Sequence, residues 1–448
     1  MKIVLPSGSA MNSPEFLFGS ATSSYQIEGG ADQRLASIWD TFCGIPGKIR
    51  DHSNGSVACD HVLRWQEDVD LMVELGLDAY RFSISWPRVM NPDGALREEG
   101  IDFYIRLLDR LNEHDIRPFV TLYHWDLPQY LEDQGGWLNR ETAYRFQEYA
   151  DQVTKEFGPR VYSYATLNEP FCSAYYGYET GMHAPGLADR AFGKKAAHHL
   201  LLAHGLAMPV LQRNSPDSLN GIVLNFTPCY AATDSAEDEQ AARIADETFN
   251  QWYIQPLMDG KYPSIIDSLP EVERPDIIPG DLEIMAQPLD YLGVNYYTRA
   301  IYRADERRSF VCLPPASQSL TAMGWEIYPE AFTGLLVSLN RRYRLPPIYI
   351  TENGAAMDDS IENGRINDTD RVKYIQEHLE AVNRAMEQGV DVRGYFAWSL
   401  MDNFEWAEGY EKRFGIVHVD YATQKRTIKL SGQSFRDMLS RRKHQAVH

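Results

Sequence analysis

Eight short runs of apolar or aromatic residues recur along the chain, and amphipathic helical patterns separate most of them. These helical patterns, such as HVLRWQEDVDLMVELG, place apolar residues three and four positions apart. Near-continuous apolar strands that alternate with such helices indicate a parallel sheet, and eight repeats predict an α/β fold with one closed (β/α)8 TIM barrel. The runs are FLFGSAT (16–22), AYRFSIS (79–85), FVTLYHW (119–125), VYSYATLN (161–168), GIVLNF (221–226), DYLGVNYY (290–297), PIYITEN (347–353) and RGYFAWSL (393–400).

The chain shows no break in composition and no Pro/Ser-rich linker. Residues 14–448 are therefore expected to form a single domain, with the extra length in extended loops at the C-terminal face of the barrel. Residues 1–13 hold one lysine and a short apolar patch, and they are expected to form a flexible leader rather than a secretory signal. No G-x-G-x-x-G or Walker-type loop follows a predicted strand, so nucleotide binding has no support.

The charge balance argues against two classes of partner. The 448 residues include 43 basic and 63 acidic side chains, and the net charge of -20 repels nucleic acid and anionic lipid. No segment approaches the roughly 20 apolar residues that span a bilayer. The five scattered cysteines contain no C-x-x-C pair and favour free thiols in a reducing compartment. We expect a soluble, cytoplasmic protein, for which a homo-oligomer stays possible.

Polar and aromatic side chains follow most of the predicted strands. Because loops at the carboxyl ends of barrel strands build one rim, we expect these side chains to converge there. In order along the chain, they are Gln26 after strand 1, His124 and Trp125, Asn168 and Glu169, Asn295 and Tyr297, Glu352, and Trp398 followed by Glu405 and Trp406.

The stretch TLNEP ends the fourth run with an amide, a carboxylate and a proline. A strand end holds Asn168 and Glu169 on a rigid element, and Pro170 biases Glu169 towards extended backbone geometry. On these five letters alone, a capped strand end that enters a turn explains the pattern equally well. The seventh run supplies a second carboxylate, Glu352, which a barrel would place across the same mouth.

Two opposed carboxyl groups are what glycoside hydrolysis requires. One protonates the leaving oxygen, and the other attacks the anomeric carbon or activates water. The amides, the imidazole and the indoles around them suit hydroxyl groups and pyranose rings. The alternative is a set of capped strand ends and structural aromatic residues, which we disfavour because six of the eight strand ends carry such groups.

The chain resembles the family 1 glycoside hydrolases, the β-glucosidases and their relatives, over nearly its whole length. This resemblance implies a (β/α)8 barrel and hydrolysis with retention of anomeric configuration. Retention requires the two carboxyl groups to lie about 5–5.5 Å apart. The motifs that carry the resemblance are YQIEG (25–29), SIWDTF (37–42), YRFSISWPR (80–88), LYHWDLPQ (122–129), TLNEP (166–170), MHAPG (182–186), GVNYYT (293–298), MGWEI (323–327), ITENG (350–354), WSLMDNFEW (398–406) and KRFGIVHVD (412–420).

The resemblance also implies roles for individual residues. Glu169 would be the acid/base and Glu352 the nucleophile, supported by Arg81, Asn295 and Tyr297. Trp325 would form part of the aglycone platform, and Cys172 is interpreted as a small apolar lining residue beside it. No cofactor and no metal is expected, and the helix with His198, His199 and His204 has no i, i+4 pair among them. The non-reducing sugar would be bound by Gln26, His124, Trp125, Asn168, Tyr297, Trp398, Glu405 and Trp406.

Glu405 narrows the expected substrate. A carboxylate there can accept hydrogen bonds from the 4- and 6-hydroxyls and would repel a phosphate at C6. We therefore expect β-glucosides such as cellobiose-like oligosaccharides and aryl glucosides, with β-galactosides and β-fucosides as side substrates. A 6-phospho-β-glucosidase and a non-catalytic sugar-binding protein are the alternatives. Two departures from the family pattern, GADQRLA after YQIEG and Phe171-Cys172 after TLNEP, leave the aglycone preference open.

Overall fold

Eight parallel strands close into a barrel, in which consecutive strands are neighbours and the last strand pairs with the first. A computed structural model describes this architecture for residues 1–445. The strands are buried along almost their whole length, because helices cover the outside of the barrel and side chains fill the inside. They are β1 (Leu17–Ala21), β2 (Ala79–Ser83), β3 (Arg117–Tyr123), β4 (Ser163–Asn168), β5 (Leu219–Phe226), β6 (Tyr291–Tyr296), β7 (Ile348–Asn353) and β8 (Val392–Trp398).

Each predicted run coincides with one barrel strand, and the ends agree to within two residues. The prediction of a closed (β/α)8 barrel is therefore confirmed. Differences at the carboxyl ends arise where an apolar run continues past its strand. Ile84 and Leu400, for example, are fully buried in the loops that follow β2 and β8.

Amphipathic helices separate the strands and bury their apolar faces against the barrel. Within residues 1–445, no helix is long and apolar enough to cross a membrane. The longer helices are α1 (His61–Leu75), α2 (Glu98–Glu113), α3 (Glu141–Phe157), α4 (Gly193–Asn214), α5 (Ala236–Asp246), α6 (Trp252–Asp259), α7 (Pro329–Arg342), α8 (Thr369–Glu387) and α9 (Leu430–Gln445). Shorter helices are Ser24–Ile27, Ile38–Cys43, Trp86–Val89, Gln129–Glu132 and Asp281–Met285.

The loops beyond the strands carry secondary structure of their own. A three-stranded sheet joins Cys229–Ala231 after β5 to Ala300–Asp305 and Ser309–Leu313 after β6. A two-stranded sheet of Val417–Asp420 and Lys425–Ile428 follows β8, and a smaller one follows β7. These elements build up the C-terminal face, as the sequence predicts for the extra length.

Aromatic rings fill the inside of the barrel. Phe119 lies 4.8 Å from Phe396 and 5.4 Å from Tyr349 between ring centroids, and Tyr291 lies 5.6 Å from Tyr349. Gly19 on β1 leaves room for them, since a Cβ there would stand 2.7 Å from the Phe396 ring. The barrel is therefore a packed core that supports the strand ends above it.

The N-terminal segment differs from the expected flexible leader. Ile3 and Met11 are fully buried, and Arg441 on α9 donates a hydrogen bond to the carbonyl of Ile3. The Ser9 hydroxyl accepts a hydrogen bond from the Met11 amide and so caps a short helical turn. Two apolar side chains spaced eight residues apart give no sequence pattern, and hydrogen bonds to Gln376 on α8 and Arg441 on α9 help to hold the segment in place.

Two helical glycines should respond oppositely to alanine. Gly205 in α4 is buried, and an added Cβ would stand 2.2 Å from the carbonyl oxygen of Ile284. Gly334 in α7 is exposed, with open space around it. We expect Gly205→Ala to destabilise the fold by about 1–3 kcal/mol and Gly334→Ala to stabilise it by about 0.5–1 kcal/mol. Urea unfolding followed by circular dichroism measures both, and equal shifts of the two midpoints would contradict the packing at Gly205.

Candidate active site

Two carboxyl groups open into one cavity of 1670 Å³ at the C-terminal face of the barrel. Glu169 directly follows β4 and Glu352 lies within β7, and their residues are only 6% and 4% exposed. The sequence predicted that these two side chains would converge. The structure brings them together with ten further predicted site residues that line the same cavity: His124, Trp125, Asn168, Cys172, Asn295, Tyr297, Trp325, Trp398, Glu405 and Trp406.

The Glu352 carboxylate is held by donors on both of its oxygens. Arg81 on β2 donates from Nη1 to Oε2 at 2.8 Å, and the Tyr297 hydroxyl donates to Oε1 at 2.6 Å. Burial raises the pKa of Tyr297 well above its usual value, and the Glu352 carboxylate raises it further, so the phenol keeps its proton. Both donors are complementary to a carboxylate and fix its orientation.

Glu169 has different partners. Asn295 on β6 donates from Nδ2 to Oε2 at 2.6 Å, and the Cys172 thiol donates to Oε1 at 3.1 Å. Burial raises the pKa of the Cys172 thiol well above its usual value, and the Glu169 carboxylate raises it further, so this group stays protonated. Cys172 thus contacts the carboxyl group itself, a closer relation than the apolar lining role that the sequence suggested.

Asn168 connects the two halves of the site. Its Oδ1 accepts hydrogen bonds from Arg81 Nη2 at 2.6 Å and from Asn295 Nδ2 at 3.1 Å. One continuous network therefore runs from Glu352 through Arg81, Asn168 and Asn295 to Glu169. A shift of any member would move the carboxyl groups relative to each other.

The electrostatic environment determines which of the two carboxyl groups carries a proton. Burial raises the pKa of Glu169, and the nearby Glu352 carboxylate raises it further. Glu352, in contrast, has the guanidinium of Arg81 in direct contact. The proton shared by the pair is therefore favoured on Glu169, the arrangement that an acid paired with a nucleophile needs.

The backbone at Glu169 is left-handed, with φ of 50°. Pro170 begins the following helical segment, where its missing N–H is not required. The expected extended geometry at Glu169 is therefore wrong, and the proline acts as a helix start instead. Non-glycine residues with positive φ are costly and concentrate at functional sites, and Trp125 and Trp406 share this feature with φ of 81° and 47°.

Several predicted sugar-binding groups have free hydrogen-bonding capacity. Within residues 1–445, the buried atoms His124 Nδ1 and Glu405 Oε2 have no hydrogen-bond partner. Burial lowers the pKa of His124 well below its usual value, so its ring is neutral. Burial raises the pKa of Glu405 to about 8, and the carboxylates of Glu352 and Glu169 contribute to the shift. Unpartnered polar atoms that face a cavity are suited to the hydroxyl groups of a ligand.

Aromatic rings enclose the same end of the cavity. The ring centroid of Trp406 lies 4.6 Å from that of Trp125, and His124 stacks on Trp398 at 5.9 Å. Trp325 lies farther along, with its ring 5.5 Å from Tyr297 and 6.1 Å from Phe414. Aromatic rings therefore line the cavity both around His124 and around Trp325.

Gln26 and Arg81 stand behind the cavity wall. The Gln26 amide donates to Asn403 Oδ1 at 3.1 Å and to the Phe404 carbonyl at 2.8 Å, and its oxygen accepts from Ser23 at 2.6 Å. This side chain thereby holds the loop after β8, next to Glu405.

The geometry agrees with comparisons to known proteins. The sequence profile of glycosyl hydrolase family 1 matches residues 10–444. The chain belongs to glycosyl hydrolase family 1. It is 44% identical over 440 residues to a β-glucosidase of Agrobacterium sp., which covers 95% of each protein. It is 43% identical over 469 residues to a bifunctional β-D-glucosidase/β-D-fucosidase of Bifidobacterium breve, covering 98% of this chain and 99% of that protein.

A solved structure supports the same family assignment. The structure of a family 1 β-glucosidase from Thermotoga maritima superimposes with a TM-score of 0.92 at 42% identity, covering 96% of this chain and 98% of that one. Membership of glycosyl hydrolase family 1 and the barrel fold are thus both established. The chain is a glycosyl hydrolase by family.

Thr351 is a site residue that sequence reasoning missed. Its hydroxyl donates to Asn295 Oδ1 at 2.6 Å, which turns the Asn295 amide so that Nδ2 faces Glu169. Asn403, which holds Gln26, was missed as well. Both lie inside quoted motifs, ITENG and WSLMDNFEW, but their partners are 56 and 377 positions away in the chain.

The three histidines of α4 are buried and packed. His198 contacts the Tyr262 hydroxyl at 2.7 Å and Asp281 at 2.8 Å, and His204 contacts Thr166 at 2.6 Å. His199 contacts the carbonyl of Trp137 at 2.6 Å. Within residues 1–445, no group of three or more His, Cys, Asp or Glu side chains is arranged to hold a metal ion.

The raised pKa of Glu169 implies that folding stability depends on pH. Between its ordinary value and the raised value, the folded protein binds more protons than the unfolded chain, so this group costs stability as pH increases. We expect Glu169→Gln to gain stability over the wild type as pH rises from 5 to 9, by about 1.4 kcal/mol per unit of pKa shift. Melting temperatures across this pH range measure the difference.

The matched control is Glu156→Gln, which changes an exposed carboxylate on α3. Its difference from the wild type should stay nearly constant over the same range. A constant difference for Glu169→Gln as well would show that burial and the charge of Glu352 do not raise the pKa of Glu169.

Proposed function

We propose that this family 1 glycosyl hydrolase is a retaining β-glucosidase. It would release terminal non-reducing β-D-glucosyl residues from cellobiose-like oligosaccharides and aryl glucosides by double displacement. The observation that carries the proposal is the network in which Arg81 and Tyr297 hold Glu352 while Asn295 and Cys172 hold Glu169. The names of the similar proteins, β-glucosidases in each case, support the same substrate class.

In the first displacement, Glu169 donates its proton to the glycosidic oxygen. A carboxylate oxygen of Glu352 attacks the anomeric carbon, the bond to the aglycone breaks, and the aglycone leaves as an alcohol. Arg81 and Tyr297 keep the attacking carboxylate ionised and oriented. The neutral ring of His124 and the amide of Asn168, 3.1 Å apart, would hydrogen-bond sugar hydroxyls beside the reacting carbon.

In the second displacement, the charge of Glu352 is neutralised in the glycosyl ester. The like-charge contribution to the pKa of Glu169 then disappears, so Glu169 becomes more acidic and acts as a base towards water. The water oxygen attacks the anomeric carbon, the ester bond breaks, and glucose leaves with its configuration retained. Glu169 keeps the proton of water and the next cycle begins.

The environment of Glu405 favours substrates that carry no phosphate group. Its buried carboxyl group lines the cavity with one unpartnered oxygen, and a 6-phosphate there would lose its hydration and would be repelled by the ionised form of Glu405. Lys412 donates to the carbonyl of Ala322 at 2.9 Å, and Arg413 pairs with Asp402 at 2.6 Å. The two cations nearest in sequence are therefore engaged elsewhere. The Bifidobacterium relative's second activity supports β-fucosides, and by the same reasoning β-galactosides, as side substrates.

Three broader features belong to the same proposal. Residues 14–448 would act as one catalytic domain, since a single barrel carries both carboxyl groups. Five free cysteines fit the reducing cytoplasm. A homo-oligomer is compatible with the site, because both carboxyl groups and their partners come from one chain. A non-catalytic sugar-binding role is disfavoured, because both carboxyl groups and their supporting donors are in place.

Loss of the nucleophile provides the direct test. We expect Glu352→Ala to lower kcat on 4-nitrophenyl β-D-glucoside by at least roughly 10⁴-fold with the fold intact, because no covalent intermediate can form. In the wild type, a 2-deoxy-2-fluoro-β-glucoside should leave a mass label on the peptide that contains Glu352. Glu362→Ala, which removes an exposed carboxylate in the loop after β7, is the matched control. A label on another peptide refutes the mechanism.

Discrimination against phosphate tests the role of Glu405. We expect kcat/KM on 4-nitrophenyl β-D-glucoside to exceed that on its 6-phosphate by roughly 100-fold or more, because the phosphate would lose its hydration beside a buried carboxyl group and would be repelled by that group once it ionises. Glu405→Gln should shrink this ratio and lower the rate on the free glucoside. Glu411→Gln, which changes an exposed carboxylate that pairs with Arg50, should leave the ratio unchanged. A wild-type preference for the 6-phosphate would favour the 6-phospho-β-glucosidase alternative.

A further inference from the structure

A cluster of buried charges joins the loop after β7 to the loop after β8. Three basic and three acidic side chains meet there, so their charges balance. Five of these side chains are at most 1% exposed, and that of Arg413 is 22% exposed. We call this set the ion clamp. Its members are Asp359 in the loop after β7, Asp368 and Arg371 at the start of α8, Asp402 and Arg413 in the loop after β8, and Lys429 directly before α9.

Lys429 is the bridge within the ion clamp. Its ammonium group donates to Asp402 Oδ1 at 2.7 Å and to Asp359 Oδ2 at 2.5 Å. Asp402 belongs to the loop that carries Glu405 three residues later, and Asp359 belongs to the loop that follows the proposed nucleophile. One buried cation therefore connects the two loops.

The connection continues to the ends of the two strands. Arg371 on α8 donates to the carbonyl of Ala355 at 3.1 Å and to the carbonyl of Arg413 at 2.8 Å. Gly354 packs directly on the backbone at the end of β8, where an added Cβ would stand 1.9 Å from the carbonyl oxygen of Trp398. The end of β7 is therefore held at a fixed position relative to the loop after β8.

The energetics of the ion clamp favour a role in positioning over a role in stability. Burial of charged groups costs desolvation, and apolar side chains of similar volume often stabilise a fold as well or better. Separation of the partners, however, leaves buried charges without compensation. The ion clamp therefore disfavours any arrangement in which the two loops move apart.

We infer that Lys429 is a positioning residue, which places Glu405 relative to Glu352 through the ion clamp and thereby selects sugars that carry a C6 hydroxymethyl group. The inference rests on the proposed function, since it takes a glucosyl unit to be bound beside both carboxyl groups. Among the described residues, Glu405 Oε2 has no partner, and Glu405 lines the cavity. A hexose offers this carboxyl group its 4- and 6-hydroxyls, whereas a pentose offers only the 4-hydroxyl. A displaced Glu405 therefore costs the hexose more than the pentose.

The test compares 4-nitrophenyl β-D-glucoside with 4-nitrophenyl β-D-xyloside, which has the same leaving group and lacks C6. In the wild type, we expect kcat/KM on the glucoside to exceed that on the xyloside by roughly 10-fold or more. Lys429→Met removes the charge and keeps a side chain of similar length. It should lower this ratio several-fold, because the glucoside slows more than the xyloside. Asp402→Asn keeps the side-chain shape and should cause a smaller change in the same direction.

Two controls separate positioning from a general loss of stability. Arg442→Met removes another buried cation, which contacts Asp78 and the carbonyl of Phe16 at the amino ends of the strands, and it should leave the ratio unchanged. In a Glu405→Gln background, Lys429→Met should lower the ratio no further, because both residues act through the same contact with the sugar. Circular dichroism confirms that each variant is folded before rates are compared.

Each other outcome overturns the inference. Equal losses on both glycosides, or a further loss of the ratio in the Glu405→Gln background, would show that Lys429 does not act through Glu405. An equal change in Arg442→Met, or failure of both ion-clamp variants to fold, would assign the ion clamp to stability alone. A wild-type ratio near one would show that C6 is not selected. Failure of the wild type on both glycosides would instead refute the proposed function, which keeps the two failures distinct.

Discussion

The hydrogen bonds that meet at Asn168 are the interaction on which the site depends. The Oδ1 atom of Asn168 accepts from Arg81 and from Asn295, and these two donors also bind Glu352 and Glu169 respectively. Four different strands, β2, β4, β6 and β7, thereby fix one pair of carboxyl groups. Because the strands are parallel and closed in a ring, their ends cannot move independently. The register of the barrel strands therefore fixes the positions of these side chains.

Much of this arrangement could be predicted from the sequence, because it follows from periodicity and position. The eight runs gave strand positions to within two residues, and the rule that active sites lie at the carboxyl ends of barrel strands brought Glu169 and Glu352 together. The contact between Cys172 and Glu169 and the role of Thr351 could not be predicted in this way. They depend on side-chain rotamers and on strand register, which a sequence pattern does not encode.

The departures from prediction have local physical causes. Pro170 lacks an N–H, so it suits both an extended strand end and the first turn of a helix. The wide helical turns after it decide in favour of the helix, at the cost of a left-handed Glu169. The segment 1–13 has too few apolar residues to signal a core, but α9 offers a surface that buries Ile3. In both cases, tertiary packing selects among conformations that local sequence leaves open.

The loop after β8 is held by contacts at Asp402 and Asn403, and these contacts position Glu405 on the same loop. Asp402 accepts hydrogen bonds from Lys429 at 2.7 Å, from Arg413 at 2.6 Å and from the amide of Gly415 at 3.0 Å. Burial alone would raise the pKa of Asp402, but the charges of Lys429 and Arg413 hold it below the usual value. Buried ion pairs add little net stability, but an arrangement that separates the partners leaves an uncompensated buried charge. With Gln26 fixing Asn403 from the other side, the loop is held on both sides of Glu405, which lines the cavity with one unpartnered carboxyl oxygen.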